Sequence, residues 1–255
     1  MADEVLTEIR GRLMIITLNR PEAMNAVNMA VAEQLAAAMD ELDGNPEVSC
    51  GVLTGNGRGF CAGMDLKAFV EGGLPRLPGR GFGGIVEQPP KKPVVAAVEG
   101  FALAGGLELA LSCDLIVSAE GAKFGIPEAG VGLFAGAGGL LRLPRVLPYA
   151  VAMRMALTAK PITAEEAHGY GMVVEITEKG GAVDKAIELA EEIAKNAPLA
   201  LIASKDLIRE MQGRTEAEFW AYQNEHHQKQ VFESEDGREG ATAFAEKRAP
   251  NWQGK

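Results

Sequence analysis

The sequence is short of histidine, cysteine and basic residues, and each shortage closes off a class of chemistry. The three cysteines, Cys50, Cys61 and Cys113, are odd in number and form no C-x-x-C pair. That excludes a disulfide framework and a cysteine-rich metal site, and it fits a reducing, cytoplasmic setting. The three histidines, His168, His226 and His227, show no H-x-x-x-H spacing, so they read as surface or capping residues rather than metal ligands. No metal and no redox cofactor is expected. There is no G-x-S-x-G nucleophile elbow and no G-x-x-x-x-G-K-[ST] phosphate loop. Lys and Arg number 25 against 35 Asp and Glu, for a net charge of −10, which argues against a nucleic-acid partner. No window reaches the ~18 apolar residues of a membrane span. The acidic opening MADEVLTEIRGR lacks the apolar stretch of a signal peptide, and no membrane partner is expected.

What the chain has in excess is glycine. Of its 31 glycines, 21 fall within residues 51–140, about twice an even share, which marks a segment where backbone geometry matters. A length of 255 residues, 47% of them hydrophobic, fits one large domain, with or without an appendage. Val5–Glu8 and Leu13–Asn19 read as strands joined by the Gly11-Arg12 turn. Asn28 caps a helix over 29–43, where Val31, Leu35, Met39 and Leu42 keep helical spacing. Strands follow at 51–54, 94–98, 113–118, 122–124 and 173–176. Helices are expected from about Asp65, at 107–112 after an EGFALAGG turn, and at 137–143, 148–158 and 163–169. Residues 72–93 read as a mobile Gly/Pro loop with one short helix. From 183 onward the pattern is helical, with a capping box at Thr215 and Glu218 and a last helix over 237–248. The class is α/β, with a core over 1–195 and an all-helical region over 196–255.

Three local motifs compete for the chemistry. A G-x-G-x-x-G match at Gly79, Gly81 and Gly84 follows no strand, so the dinucleotide reading fails its context. Cys61 has no histidine placed to activate it and reads as a buried thiol. The third is a constellation. Two helix starts, around Gly63-Met64-Asp65 and Ala104-Gly105-Gly106, each expose backbone N–H groups, and two converging ends would make an oxyanion hole. Glycines also begin many ordinary helices. Glu108 has only small, apolar or uncharged neighbours one turn away, which suits a buried acid of raised pKa. Glu128 lies between FGIP and a glycine run. Glutamates mostly face water, so a solvent-facing role stands as the alternative for both.

With these residues in view, the chain resembles the crotonase (enoyl-CoA hydratase/isomerase) superfamily. The likeness runs through NRPEAMNAVN, GFCAGMDL, AAVEGFALAGGLELALSCDLIVSAEGAKFGIPEAGVG, GAGGLLRLPR and AFAEKRAPNWQ. It implies a crotonase-like spiral of ββα units over 1–195, a C-terminal helical trimerisation region over 196–255, a homotrimer or dimer of trimers, and an acyl-CoA thioester as partner. It implies that the N–H groups of Met64 and Gly105 form the oxyanion hole, and that Glu108 and Glu128 are the catalytic acids. Gly136 would offer its N–H to the attacking water at a helix start. Ala62, Asp65 and Leu66 would lie at the CoA adenine and Ala23 and Ala26 near the pantetheine. Phe244 and Lys247 would close over the nucleotide of an adjacent subunit. The expected reaction is syn addition of water to a 2-enoyl-CoA, in fatty-acid or related acyl-CoA metabolism, with Glu108 as base and Glu128 as acid. Coenzyme A is part of the substrate and no other cofactor is implied. Two departures stand beside the acyl pocket: a family proline is Ala135, and a family Thr-Gln pair is Leu140-Leu141. Rival readings are a 3-enoyl to 2-enoyl isomerase and a non-catalytic acyl-CoA-binding protein.

Overall fold

The computed structural model describes residues 3–255; residues 1 and 2 of the acidic opening lie outside it. In chain order the elements are β1 (Val5–Arg10), β2 (Leu13–Leu18), α1 (Met29–Gly44), β3 (Cys50–Gly55), α2 (Leu66–Val70), β4 (Arg76–Leu77), β5 (Gly81–Phe82), β6 (Val94–Val98), β7 (Phe101–Leu103), α3 (Gly105–Ala110), β8 (Leu115–Ala119), β9 (Lys123–Gly125), α4 (Gly139–Val146), α5 (Tyr149–Thr158), β10 (Ile162–Thr163), α6 (Ala164–Gly169), β11 (Glu175–Thr177), α7 (Ala182–Ala194), α8 (Pro198–Glu210), α9 (Glu216–Gln223), α10 (Lys229–Phe232) and α11 (Glu235–Glu246).

Uncharged apolar runs such as LMIITL and VVAAV suit strands buried on both faces. They form the middle of a six-stranded sheet in the order β1-β2-β3-β6-β8-β11. Only β1 and β2 pair antiparallel; the remaining pairs are parallel. Strand alternation sorts the side chains. Leu13 and Ile15 meet α7 through Ala182, Ala186, Ala190 and Ala194, while Met14, Ile16 and Leu18 enter the main core with Val31, Leu35 and Leu42. Alanine at every fourth position of α7 lets that helix approach the sheet closely.

A second, smaller layer explains the spiral. β7 pairs parallel with β9, and β10 joins β9 antiparallel. Single parallel bridges, Cys61 to Ala102 and Val27 to Met64, extend that layer. The chain therefore repeats one path: main-sheet strand, second-layer contact, helix. It does so through β2, Val27 and α1; through β3, Cys61–Met64 and α2; and through β6, β7 and α3. β8 and β9 begin the next turn. This is the ββα spiral that the resemblance implies.

Two expectations are corrected. Residues 72–93 hold no helix. Gly79, Gly81, Gly83 and Gly84 all take positive φ, which a helix cannot accommodate. They shape the β4–β5 hairpin, whose end carries Phe82, Ile85 and Val86 into the core. That hairpin is also why glycines fall at dinucleotide-like spacing. The EGFALAGG stretch is more than a turn: Phe101–Leu103 is β7, too short for its period to show. Most other elements lie within about two residues of expectation, the usual uncertainty at an element's end.

The C-terminal helices are fastened by charge. Asp114 Oδ2 meets Lys205 Nζ at 2.7 Å and Asp114 Oδ1 meets Arg209 Nη2 at 3.0 Å, joining α8 to the start of β8. Ile208, Trp220, Phe232 and Phe244 project outward from this region. Among the described residues no helix is long and apolar enough to cross a membrane.

Candidate active site

The two suspected helix starts do meet. Cys61 N–H donates to Phe101 O at 3.3 Å and Leu103 N–H donates to Cys61 O at 3.0 Å, so the 61–64 loop lies alongside β7. The contact leaves no room for side chains. A Cβ on Gly63 would lie 2.7 Å from Ala104 Cβ and 3.0 Å from Gly105 N, and one on Gly106 would fall onto the Cys61 carbonyl. A Cβ on Gly105 would lie 2.5 Å from the tip of the Phe82 ring. Between these walls, the N–H groups of Met64 and Gly105 donate no hydrogen bond to another described residue. Ala104, just before Gly105, has φ 50° and ψ −130°, a conformation costly for any residue with a side chain. Its N–H donates to Gly125 O at 2.8 Å, which ties the turn to β9.

Glu108, on α3, is buried at 3% exposure. The solvent-facing alternative fails for it. Its Oε1 accepts from Ala137 N at 2.7 Å and Gly139 N at 2.8 Å; its Oε2 accepts from no described residue. Burial pushes the carboxyl above the ordinary range, and the Gly139 and Ala137 N–H groups and the Arg142 charge draw it partly back. Glu128 sits in the 3-10 turn Pro127–Val131, which follows β9. Its Oε2 is buried with no hydrogen-bond partner among the described residues. Burial, helped by the charge of Glu108, pushes this carboxyl up to about 7. The two acids thus sense one another but differ in support: one has two backbone donors, the other has an orphaned oxygen.

Gly136 does not stand at a helix start. Gly138, with φ 99°, breaks the chain, and α4 begins at Gly139. Gly136 lies in the exposed loop before it, under the Phe134 ring.

The 20–27 loop is knitted to the 61–68 loop. Val27 N–H donates to Gly63 O, Asp65 N–H to Val27 O and Ala62 N–H to Met24 O. Arg20 Nη1 reaches both Ala26 O, at 2.5 Å, and Asp65 Oδ2, at 3.0 Å. Asp65 Oδ1 caps α2 by accepting from Lys67 N and Ala68 N. The Asp65 carboxylate is therefore occupied with holding the loops, while Ala23, Ala26, Ala62 and Leu66 line the same junction. Phe244, 88% exposed, and Lys247 lie at the end of α11, and no hydrogen bond joins them to the 62–66 loop among the described residues. Cys61 is inert by placement: its thiol is buried, donates to Asn25 O at 3.0 Å, and is pushed up to about 12.

Three residues at the site escape sequence reasoning. Ala104 escapes because alanine carries no signal for positive φ. Phe82 escapes because nothing local ties residue 82 to Gly105. Arg142 left one trace, a charge inside the apolar LLRLPR run.

Comparison with known proteins agrees with this fold. The family model for enoyl-CoA hydratase/isomerase matches residues 8–255. Enoyl-CoA hydratase EchA19 of Mycobacterium tuberculosis is 41% identical, over 98% of this chain and 96% of that protein. Carnitinyl-CoA dehydratase of Salmonella typhi is 40% identical over the whole of both chains. The crystal structure of enoyl-CoA hydratase EchA1 from Mycobacterium marinum superposes with a TM-score of 0.96 at 54% identity, covering 100% of each chain. With a ββα spiral, paired backbone donors, a buried Glu108 and a half-buried Glu128 that senses its charge, and with these matches over its length, the chain belongs to the enoyl-CoA hydratase/isomerase family and has the crotonase fold.

Proposed function

We propose that the protein is an enoyl-CoA hydratase, a hydro-lyase that adds water syn across the C2–C3 double bond of a 2-enoyl-CoA to give a 3-hydroxyacyl-CoA. The observation that carries this reading is the unequal pair of carboxyls beside two free amide donors. The N–H groups of Met64 and Gly105 donate to the thioester carbonyl oxygen as an enolate develops. Glu108, with two donors on one oxygen, is the better anion and removes a proton from water as that water attacks C3. Glu128, pushed up to about 7, holds a proton in about half of the molecules at neutral pH, far more than an ordinary glutamate, and delivers it to C2. One charged and one neutral carboxyl is the favoured state of such a pair, and its titration belongs to the pair. The Gly136 N–H orients the water from the loop before α4.

The CoA portion binds at the junction of the 20–27 and 61–66 loops, through Ala23, Ala26, Ala62, Asp65 and Leu66. It positions the enone without entering the chemistry. The 196–255 helices assemble the protein into trimers or dimers of trimers; their outward Trp220, Phe232 and Phe244 support this reading. The pathway is fatty-acid or related acyl-CoA metabolism, and the setting is cytoplasmic.

The test is substitution of each acid. Glu108→Gln and Glu128→Gln should each lower crotonyl-CoA hydration by at least a hundredfold while leaving CoA-ester binding nearly intact. Near-wild-type turnover in either variant would refute the assignment.

A further inference from the structure

Arg142 is a half-buried cation that the reaction above does not use. It lies on α4, one turn beyond Gly138, and its guanidinium folds back over that glycine, where a Cβ would collide with Nη1. Nη2 donates to Val86 O at 2.5 Å and Nη1 to Ala137 O at 3.4 Å. These two carbonyls belong to different segments of the site. Val86 follows the β4–β5 hairpin that brings Phe82 against Gly105. Ala137 belongs to the loop whose N–H groups hold Glu108. The guanidinium therefore bridges the oxyanion wall and the base-holding loop, with its charge acting on Glu108.

We infer that Arg142 is a positioning residue for the general base: it locks the 136–139 loop, whose amides grip the Glu108 carboxyl, to the 82–86 segment. This rests on the hydratase reading. The other charges that act on this region are Glu128, through Glu108, and Arg209, Arg145 and the Cys113 thiol, through Arg142. Arg209 is itself engaged by Asp114 and by Ser112 O, at 2.8 Å. Ser112 Oγ in turn donates to Glu108 O at 2.7 Å. Arg142 is the cation acting directly on Glu108, since Arg209 is neutralised by its own carboxylate.

The expected result follows from sign. Glu108 works ionised, so hydration rises with pH through the lower limb of the pH–rate profile. Removing a cation beside it raises the pKa of that limb. Arg142→Met should move the acidic limb of kcat/KM for crotonyl-CoA upward by more than about 0.3 pH unit, so the rate below the limb falls at least about twofold. Arg142→Lys keeps charge but loses the two-carbonyl bridge. It should leave the limb within about 0.3 of wild type and lower kcat severalfold, with KM little changed. An unmoved limb in a folded Met variant, or equal shifts in both variants, overturns the inference. If Met prevents folding, Arg142→Gln takes its place with the same prediction. If the wild type hydrates no 2-enoyl-CoA, the hydratase reading fails by itself. The inference is then decided by carbon-13 NMR titration of labelled Glu108 in wild type and the Met variant, where an unshifted titration overturns it.

Discussion

Glu128→Gln should make the protein inactive and more stable, and the gain should depend on pH in a defined way. Glu128 is held up to about 7 against an ordinary 4.5. A raised carboxyl in the folded state means that the unfolded chain loses its proton first. Below about pH 4.5 both states are protonated and nothing is lost. Between there and about pH 7 the unfolded chain gains from ionising while the native protein does not, and above pH 7 the penalty is constant. At full strength such a difference costs the native state about 3 kcal/mol. Glu128 is only half-buried, so solvent screening reduces this to about 1–2 kcal/mol. Glutamine is uncharged at every pH and escapes the penalty. For a chain of this size each kcal/mol moves Tm by about 2–4 °C. The variant should therefore melt roughly 2–8 °C above wild type at pH 8 and within a degree of it at pH 4.5. Melting would be followed by calorimetry at one protomer concentration, because assembly also shifts Tm. A variant no more stable than wild type at pH 8, or one with the same advantage at both pH values, would refute the claim that Glu128 is strained by its environment.

Two further outcomes test the walls of the site. Ala104→Gly removes the side chain from a residue at φ 50°, ψ −130°; the relief, less the added freedom of the unfolded chain, should raise the urea midpoint by the equivalent of about 1 kcal/mol. Gly106→Ala sets a Cβ on the Cys61 carbonyl; the rigid backbone contact should cost at least about 2 kcal/mol in denaturant unfolding and abolish hydration.

The large elements were legible because their signals are local. The Asn28 cap, which accepts from Val31 N, and the Thr215–Glu218 capping box, formed in both directions, are written in residues three apart. What stayed hidden is short or non-local. β7 spans three residues and the bridge at Cys61 only one, so the second layer of the spiral has no measurable period. The Gly/Pro stretch 72–93 misled because glycine reports permission rather than conformation: the same residues serve a loose loop or a tight hairpin that seats Phe82 on Gly105. In the site, the identities of Glu108 and Glu128 were readable, but their difference was not. It arises from which backbone amides arrive beside each carboxyl.

That difference has a consequence for what substitutions can change. In the proposed reaction the oxyanion donors are the amides of Met64 and Gly105, and the proposed base, Glu108, is held by the amides of Ala137 and Gly139. Close packing of glycine against backbone keeps these groups in place, and the proposed mechanism asks chemistry of no side chain but the two glutamates. The side chains around them are another matter. Phe134, Leu140 and Leu141 stand exposed on the loop and helix that frame the acids, and Ala135 and the two leucines are where the sequence departs from its family. Changing these alters the shape and polarity offered to an acyl group while leaving every donor in place. The proposed reaction is therefore expected to depend on the spiral's backbone, and substrate choice on a few residues of the 134–135 loop and the first turn of α4. Variants at 134, 140 and 141 should reorder rates across a series of 2-enoyl-CoAs of increasing length while every member still undergoes hydration. A variant there that converted hydration into a different reaction would break the separation.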